Sequence, residues 1–216
     1  PFDSSYAVGN SAIAVTQVKE EVNRMLDMVA KNIGDAFDTL IKYNDKSRKK
    51  VEEREEYIDY LNKGISEYIV SLMAGEMNAD DSRKINGYYA IISNLERIGD
   101  HATNIAGYAD DMKKWDLKFS DNVLDELEEM KNQCITCLEN VKNVDSADTG
   151  RVLSQAEVLE QKTDDMRDKY FKKQMQRLKK GKCNPQSGIV FSEVLTDFER
   201  MGDHSLNIAQ QYKEMG

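Results

Sequence analysis

Proline is nearly missing from this chain of 216 residues: Pro1 and Pro185 are the only two. With helix breakers that scarce, and Glu, Lys, Leu and Met plentiful, long helices meet little obstruction. Cysteine is almost as scarce. Three residues, an odd number, cannot make a disulfide framework, which points to a reducing, cytosolic setting. No apolar run reaches the roughly 18 residues needed to cross a bilayer, and no signal peptide is visible. Positive charge is in deficit, with 30 Lys and Arg against 39 Asp and Glu, for a net charge of −9. A binder of phosphate backbones needs a basic face, so nucleic acid is not an expected partner. The densest basic run, Lys46-Ser47-Arg48-Lys49-Lys50, reads as a solvated helix end beside a loop. No window alternates with a period of two and β-branched enrichment, so no sheet is expected.

What is present is helical periodicity. Leu26, Val29, Ala30, Ile33, Phe37, Leu40 and Ile41 recur at steps of three and four, marking an amphipathic helix over about 11–43. A second covers about 48–74, with Ile58, Leu61, Ile65, Ile69 and Leu72 on one stripe. A turn follows, with Asp81 or Ser82 expected as the cap of a third helix over about 82–112. After a connector at 115–121 the pattern restarts, with helices over about 124–141, 152–178 and 186–213. The turn before the last holds Gly181 and Pro185. The expected fold is all-α: two repeated three-helix bundles, six long helices related by a pseudo-two-fold, with residues 1–114 as the first repeat and 115–216 as the second. Short connections make neighbouring helices antiparallel.

The repeat is written in polar residues. Glu96-Arg97-Ile98-Gly99-Asp100-His101-Ala102-Thr103-Asn104-Ile105-Ala106 returns 103 positions later as Glu199-Arg200-Met201-Gly202-Asp203-His204-Ser205-Leu206-Asn207-Ile208-Ala209. Eight of the eleven residues are identical, and both histidines of the chain lie inside. A fixed-period echo marks a duplicated architecture. A repeat kept only for packing would preserve mostly apolar residues.

Glu96 and Asp100 stand four apart, so both carboxylates leave one helix face, as do Glu199 and Asp203. The preceding helices offer Glu55 with Asp59, and Glu160 with Asp164, at a nearly equal offset of 105. If those helices pack antiparallel, four carboxylates converge in each half and repel one another unless a cation joins them. Carboxylates facing inward from neighbouring helices are one way bundles build metal sites. Oxygen ligands suit iron, zinc, manganese or magnesium without choosing among them. The plain alternative is a solvated acidic face, which any single pair would be; the paired recurrence favours metal. Gly99 and Gly202 sit mid-helix, where glycine costs about 1 kcal/mol relative to alanine, so close helix approach or room for an ion is expected there. Arg97 and Arg200 are placed to orient a carboxylate or to serve the surface. His101 and His204 point about 100° away from the adjacent Asp and suit a structural or orienting hydrogen bond more than direct ligation. Asn104 and Asn207 continue the carboxylate stripe.

These residues resemble the PhoU family, whose signature Glu-Arg-x-x-Asp-x-x-x-Asn-Ile falls on the last helix of each three-helix repeat. Here it reads Glu96-Arg97, Asp100, Asn104-Ile105 and Glu199-Arg200, Asp203, Asn207-Ile208. The similarity runs from about Met25 to the end. It implies a role in phosphate homeostasis without catalysis. It also implies iron or zinc clusters on Glu55, Asp59, Glu96 and Asp100, and on Glu160, Asp164, Glu199 and Asp203. For the second helix, Glu52 and Glu56 offer another register.

The chain opens at Pro1 without an initiator Met, and residues 12–28 resemble the segment after the last membrane helix of bacterial sodium/phosphate cotransporters. The leading expectation is therefore the cytoplasmic regulatory domain of such a transporter, tethered to the inner face of the membrane by a preceding transmembrane region. Its expected partners are the transporter domain of the same chain and further copies of itself. The alternative is a free-standing PhoU-type negative regulator of phosphate uptake. A ferritin-like di-metal oxidase ranks below both. That class places His three after Glu, whereas here His falls five after Glu96 and Glu199. Cys134 and Cys137 share a CxxC spacing, yet they follow the periodicity of the fourth helix and have no second pair. Cys183 is expected in a turn.

Overall fold

The computed structural model describes residues 11–216, so the opening 1–10 lies outside the described residues. The helices are α1 (Ser11–Ile41), α2 (Asp45–Met73), α3 (Ala79–Lys114), α4 (Asp121–Asn140), α5 (Thr149–Lys179) and α6 (Pro185–Met215), with a short 3-10 turn at Ser146–Asp148. Among the described residues there is no strand and no helix long and apolar enough to cross a membrane. Two three-helix bundles, α1–α3 and α4–α6, follow one another as the period implies.

Each helix exists because one stripe leaves water. On α1 the stripe is Val18, Val22, Met25, Leu26, Val29, Ile33, Ala36 and Phe37, all 0% exposed. Burying each of these side chains larger than alanine contributes about 1.5–3 kcal/mol. The starts of α2, α3 and α6 fall earlier than periodicity alone places them, where asparagine caps set them. Asn44 accepts from the backbone N–H groups of Lys46 and Ser47. Asn184 caps α6 with Pro185 in its first turn, so Pro185 opens the helix and does not belong to the turn. For α3 the expected cap, Asp81 or Ser82, is replaced by Asn78. Its side chain accepts from the Asp81 N–H and donates to Asp81 Oδ2, 2.8 Å each way, which places Asp81 in the first turn of the helix. α5 ends where Gly181 takes φ +62°. The Lys182 N–H then reaches back to the Arg177 carbonyl at 2.9 Å, a closure that favours glycine at the left-handed position.

The two bundles join along two antiparallel seams. One runs between α1 and α4, where Lys131 pairs with Asp38 at 2.7 Å and Lys142 pairs with Asp27. The other crosses α3 with α6, and both copies of the repeated motif lie on it.

Candidate functional site

In the first repeat Glu55 of α2 is half-buried while Glu52, Glu56 and Asp59 are exposed, and the charge of Asp59 acts on Glu55, Glu96 and Asp100, which favours the Glu55/Asp59 register over Glu52/Glu56. Glycine makes room for Glu55. A Cβ on Gly99 would stand 3.3 Å from Glu55 Oε2 and 3.4 Å from Oε1. Glu55 Oε2 accepts from Asn32 Nδ2 of α1 at 3.3 Å, whereas buried Oε1 makes no hydrogen bond of ordinary geometry, with the Thr103 hydroxyl the donor that interacts with the carboxyl. The nearby cation Arg54 is spent on Asp35 at 2.7 Å. Burial pushes the Glu55 carboxyl up to about 7. The Thr103 hydroxyl opposes the shift, and the charges of Asp59, Asp100 and Glu96 add to it. Glu96 is pushed up by burial and then by Asp100, with Arg97 opposing. Asp100 is raised by burial and then by Asp59. Glu55, Glu96 and Asp100 thus each feel the charge of Asp59. Among the described residues none of the four has an ion pair.

In the second repeat, Glu160 is raised by burial, then by Asp164, Asp203 and Glu199. Asp164 is raised by burial, then by Glu199 and Asp203. These four also share one field, but cations are fixed on them. Arg167 Nη2 meets Glu199 Oε1 at 2.7 Å, and Arg200 Nη1 lies 3.3 Å from Asp203. Gly202 faces a different neighbour from Gly99. A Cβ there would stand 2.9 Å from Thr163 Cγ2 and 3.2 Å from Thr163 Cβ. Thr163 is 1% exposed and donates to the Leu159 carbonyl at 2.9 Å, so it has little freedom to retreat. Gly202→Ala should lower the urea midpoint by the equivalent of about 1–2 kcal/mol despite alanine's better helix propensity. An unchanged or raised midpoint would mean that Thr163 yields. Among the described residues, no three His, Cys, Asp or Glu side chains are gathered into a set that could hold a metal ion as it stands.

The histidines and asparagines of the motif lie elsewhere, on the α3–α6 seam. His101 Nδ1 approaches Asp197 Oδ1 at 2.6 Å. A carboxylate only accepts, which assigns the proton to Nδ1. Asn104 Nδ2 donates to the same oxygen at 3.2 Å, and the Tyr108 hydroxyl donates to Oδ2 at 2.8 Å. The mirror arrangement uses Asn94, whose Oδ1 receives His204 Nδ1 at 2.9 Å and Asn207 Nδ2 at 3.3 Å. The imidazoles stack with centroids 5.8 Å apart and planes at 28°. Burial, with His101 and Arg97 next, pushes His204 down. Each half thus hands its His and Asn to an acceptor on the other half. Arg97 is exposed. Asn94 and Asp197 carry no mark in the repeat, since they differ from each other and precede the motif by two residues. Their signal is position: each lies seven before a motif histidine, on the same helical stripe.

The site offers oxygen ligands and no nucleophile held by a base. Cys134 and Cys137 are both 4% exposed within the core, with burial raising both thiols.

Known proteins share this fold. The chain is 26% identical over 205 residues to the phosphate-specific transport system accessory protein PhoU homolog 1 of Thermotoga maritima, covering 94% of this chain and 88% of that one. The crystal structure of PhoU from Pseudomonas aeruginosa superimposes with a TM-score of 0.83 at 19% identity, over 95% of this chain and 98% of the other. The phosphate transport system regulatory protein PhoU from Streptococcus pneumoniae does so with 0.81 at 16% identity, over 95% and 96%. The model of the PhoU domain matches twice, at residues 22–109 and again at 120–212, once per three-helix bundle. By that double match the chain belongs to the PhoU family.

Proposed function

We propose that this chain is a non-catalytic accessory regulator of phosphate transport, of the free-standing kind. The observation that carries this reading is the doubled motif on a doubled bundle, matched along both halves by the PhoU domain model. The Thermotoga maritima relative, named as an accessory protein of a transport system, is spanned over 88% of its length. That leaves little of it for a transporter domain. The likeness therefore favours the free-standing regulator over the tail of a sodium/phosphate cotransporter. Phosphate uptake tests the proposal, in a bacterium whose own accessory regulator is deleted. This chain should restore repression of uptake when external phosphate is ample, and unrestrained uptake would count against it. Several apolar spans of about 20 residues encoded upstream of Pro1 would restore the cotransporter reading.

We also propose that the first repeat binds a hard metal cation on Glu55, Asp59, Glu96 and Asp100. The buried Glu55 Oε1 that makes no hydrogen bond of ordinary geometry, the space left by Gly99 and four carboxylates without a fixed cation support this. The ion would supply the positive charge that the helices lack, drawing α2 and α3 together; Gly99 would keep the approach open and Asn32 would steer Glu55. Metal analysis of the purified protein beside Asp100→Ala tests it. Metal should be present in the parent and at least tenfold depleted in the variant, and equal content would overturn the assignment.

A further inference from the structure

The repeats carry the same four carboxylates but not the same cation. The offset of 105 that brings Glu55 and Asp59 onto Glu160 and Asp164 brings Asn62 onto Arg167. Asn62 adds no charge to the first repeat. Arg167 reaches across from α5 to α6 and meets Glu199 Oε1 at 2.7 Å through Nη2, while Nη1 meets Asp168 at 2.8 Å. Its side chain is 35% exposed and that of Glu199 29%, so the pair is half withdrawn from water, where a charge-assisted bond gains strength over a fully exposed one. Arg200 occupies Asp203 from the same helix. A metal ion entering here would have to strip Glu199 from a guanidinium and then tolerate that guanidinium as a neighbour of like sign. Arginine cannot escape by losing its proton.

We infer that Arg167 is the resident cation of the second repeat, so that metal binding by this chain is confined to the first. The inference rests on the metal reading proposed above for Glu55, Asp59, Glu96 and Asp100. It reaches beyond that reading because it makes the two halves chemically unequal: one answers to metal supply, and the other is held closed by an internal ion pair whatever the supply.

The test is a binding titration with Mn(II), and in parallel Zn(II), on metal-stripped protein. Bound metal per chain is counted by equilibrium dialysis, and the thermal midpoint is read with and without metal. Four variants accompany the parent: Asp100→Asn, Asp203→Asn, Arg167→Asn and the double variant Arg167→Asn with Asp203→Asn. Arg167→Gln, which keeps more of the aliphatic stem, guards against a folding loss in Arg167→Asn. The parent should bind metal with an affinity that falls at least tenfold in Asp100→Asn and does not change in Asp203→Asn. Arg167→Asn should gain further bound metal and a metal-dependent rise in midpoint, both lost in the double variant. A tenfold loss in Asp203→Asn of the parent would overturn the inference, since metal would then seat beside Arg167. So would Arg167→Asn and Arg167→Gln both gaining nothing. Metal taken up by Arg167→Asn but not by the parent would remove the first-repeat reading and leave the role of Arg167 standing. No metal in any form of the protein would remove both.

Discussion

Asp197→Ala should destabilise the fold by about 3 kcal/mol, the largest loss expected from a single side chain outside the apolar core. Asp197 is 7% exposed on its side chain and is the common acceptor for His101, Asn104 and Tyr108. Removing it strands three donors at a helix–helix seam. Each stranded donor costs about 1–3 kcal/mol when buried, more where the lost partner was charged. Water recovers part of this, because His101 keeps 21% of its side-chain exposure. Asn94→Ala provides the matched comparison. It strands only His204 and Asn207, both bonded to a neutral oxygen, and should cost about 1 kcal/mol. Urea unfolding of the two variants measures the difference directly, provided the slope is unchanged. Equal losses, or a loss below 1 kcal/mol for Asp197→Ala, would sink the view that the carboxylate anchors the seam.

Glu55→Gln should do the opposite and stabilise metal-free protein at pH 8. Glutamine keeps the shape of the side chain and an oxygen for Asn32 Nδ2 to donate to. It removes a charge that burial and three neighbouring carboxylates oppose. The folded-state value of about 7 lies above the ordinary 4.5, so the folded protein holds this proton more tightly than the unfolded chain. The associated stability is whole below pH 4.5, drains away as pH rises, and is gone above about pH 7. At 1.36 kcal/mol per unit the full shift would be worth about 3 kcal/mol. The partial exposure of Glu55 brings the expected gain at pH 8 to about 2 kcal/mol. At pH 3.5 the carboxyl is protonated in both the folded protein and the unfolded chain, and the variant should match the parent. A Glu55→Gln that is less stable at pH 8, or equally stabilised at both pH values, would show that the charge is not what strains this position.

The helices were legible because burial writes a plain code. Stripes such as Ile58, Leu61, Ile65 and Ile69 admit only one reading at three-four spacing, and all four are buried as that spacing demands. Helix starts were less legible. Capping depends on which polar side chain meets a backbone N–H, and Asn78 competes on paper with Asp81 and Ser82. The carboxylate pairs stood out because like charges repeated four apart are locally unfavourable and invite an explanation. The seam was not legible, because identity between copies was the signal followed and its two acceptors are not identical. Asn94 answers to Asp197 as Asn62 answers to Arg167. In both cases the informative event is a change of charge between matched positions, which a search for sameness passes over.

The crossed bonding on the α3–α6 seam has the logic of an isologous dimer, in which residue i of one copy meets residue j of the other and the reverse contact repeats it. Two separate copies would be bound by that symmetry. An aspartate acceptor in one would bring a second aspartate beside the same stacked imidazoles, and an asparagine would bring a second asparagine. One continuous chain is free of the constraint. It sets a carboxylate under His101 and an amide under His204, so two stacked rings of matched position rest on hydrogen-bond partners of unlike charge.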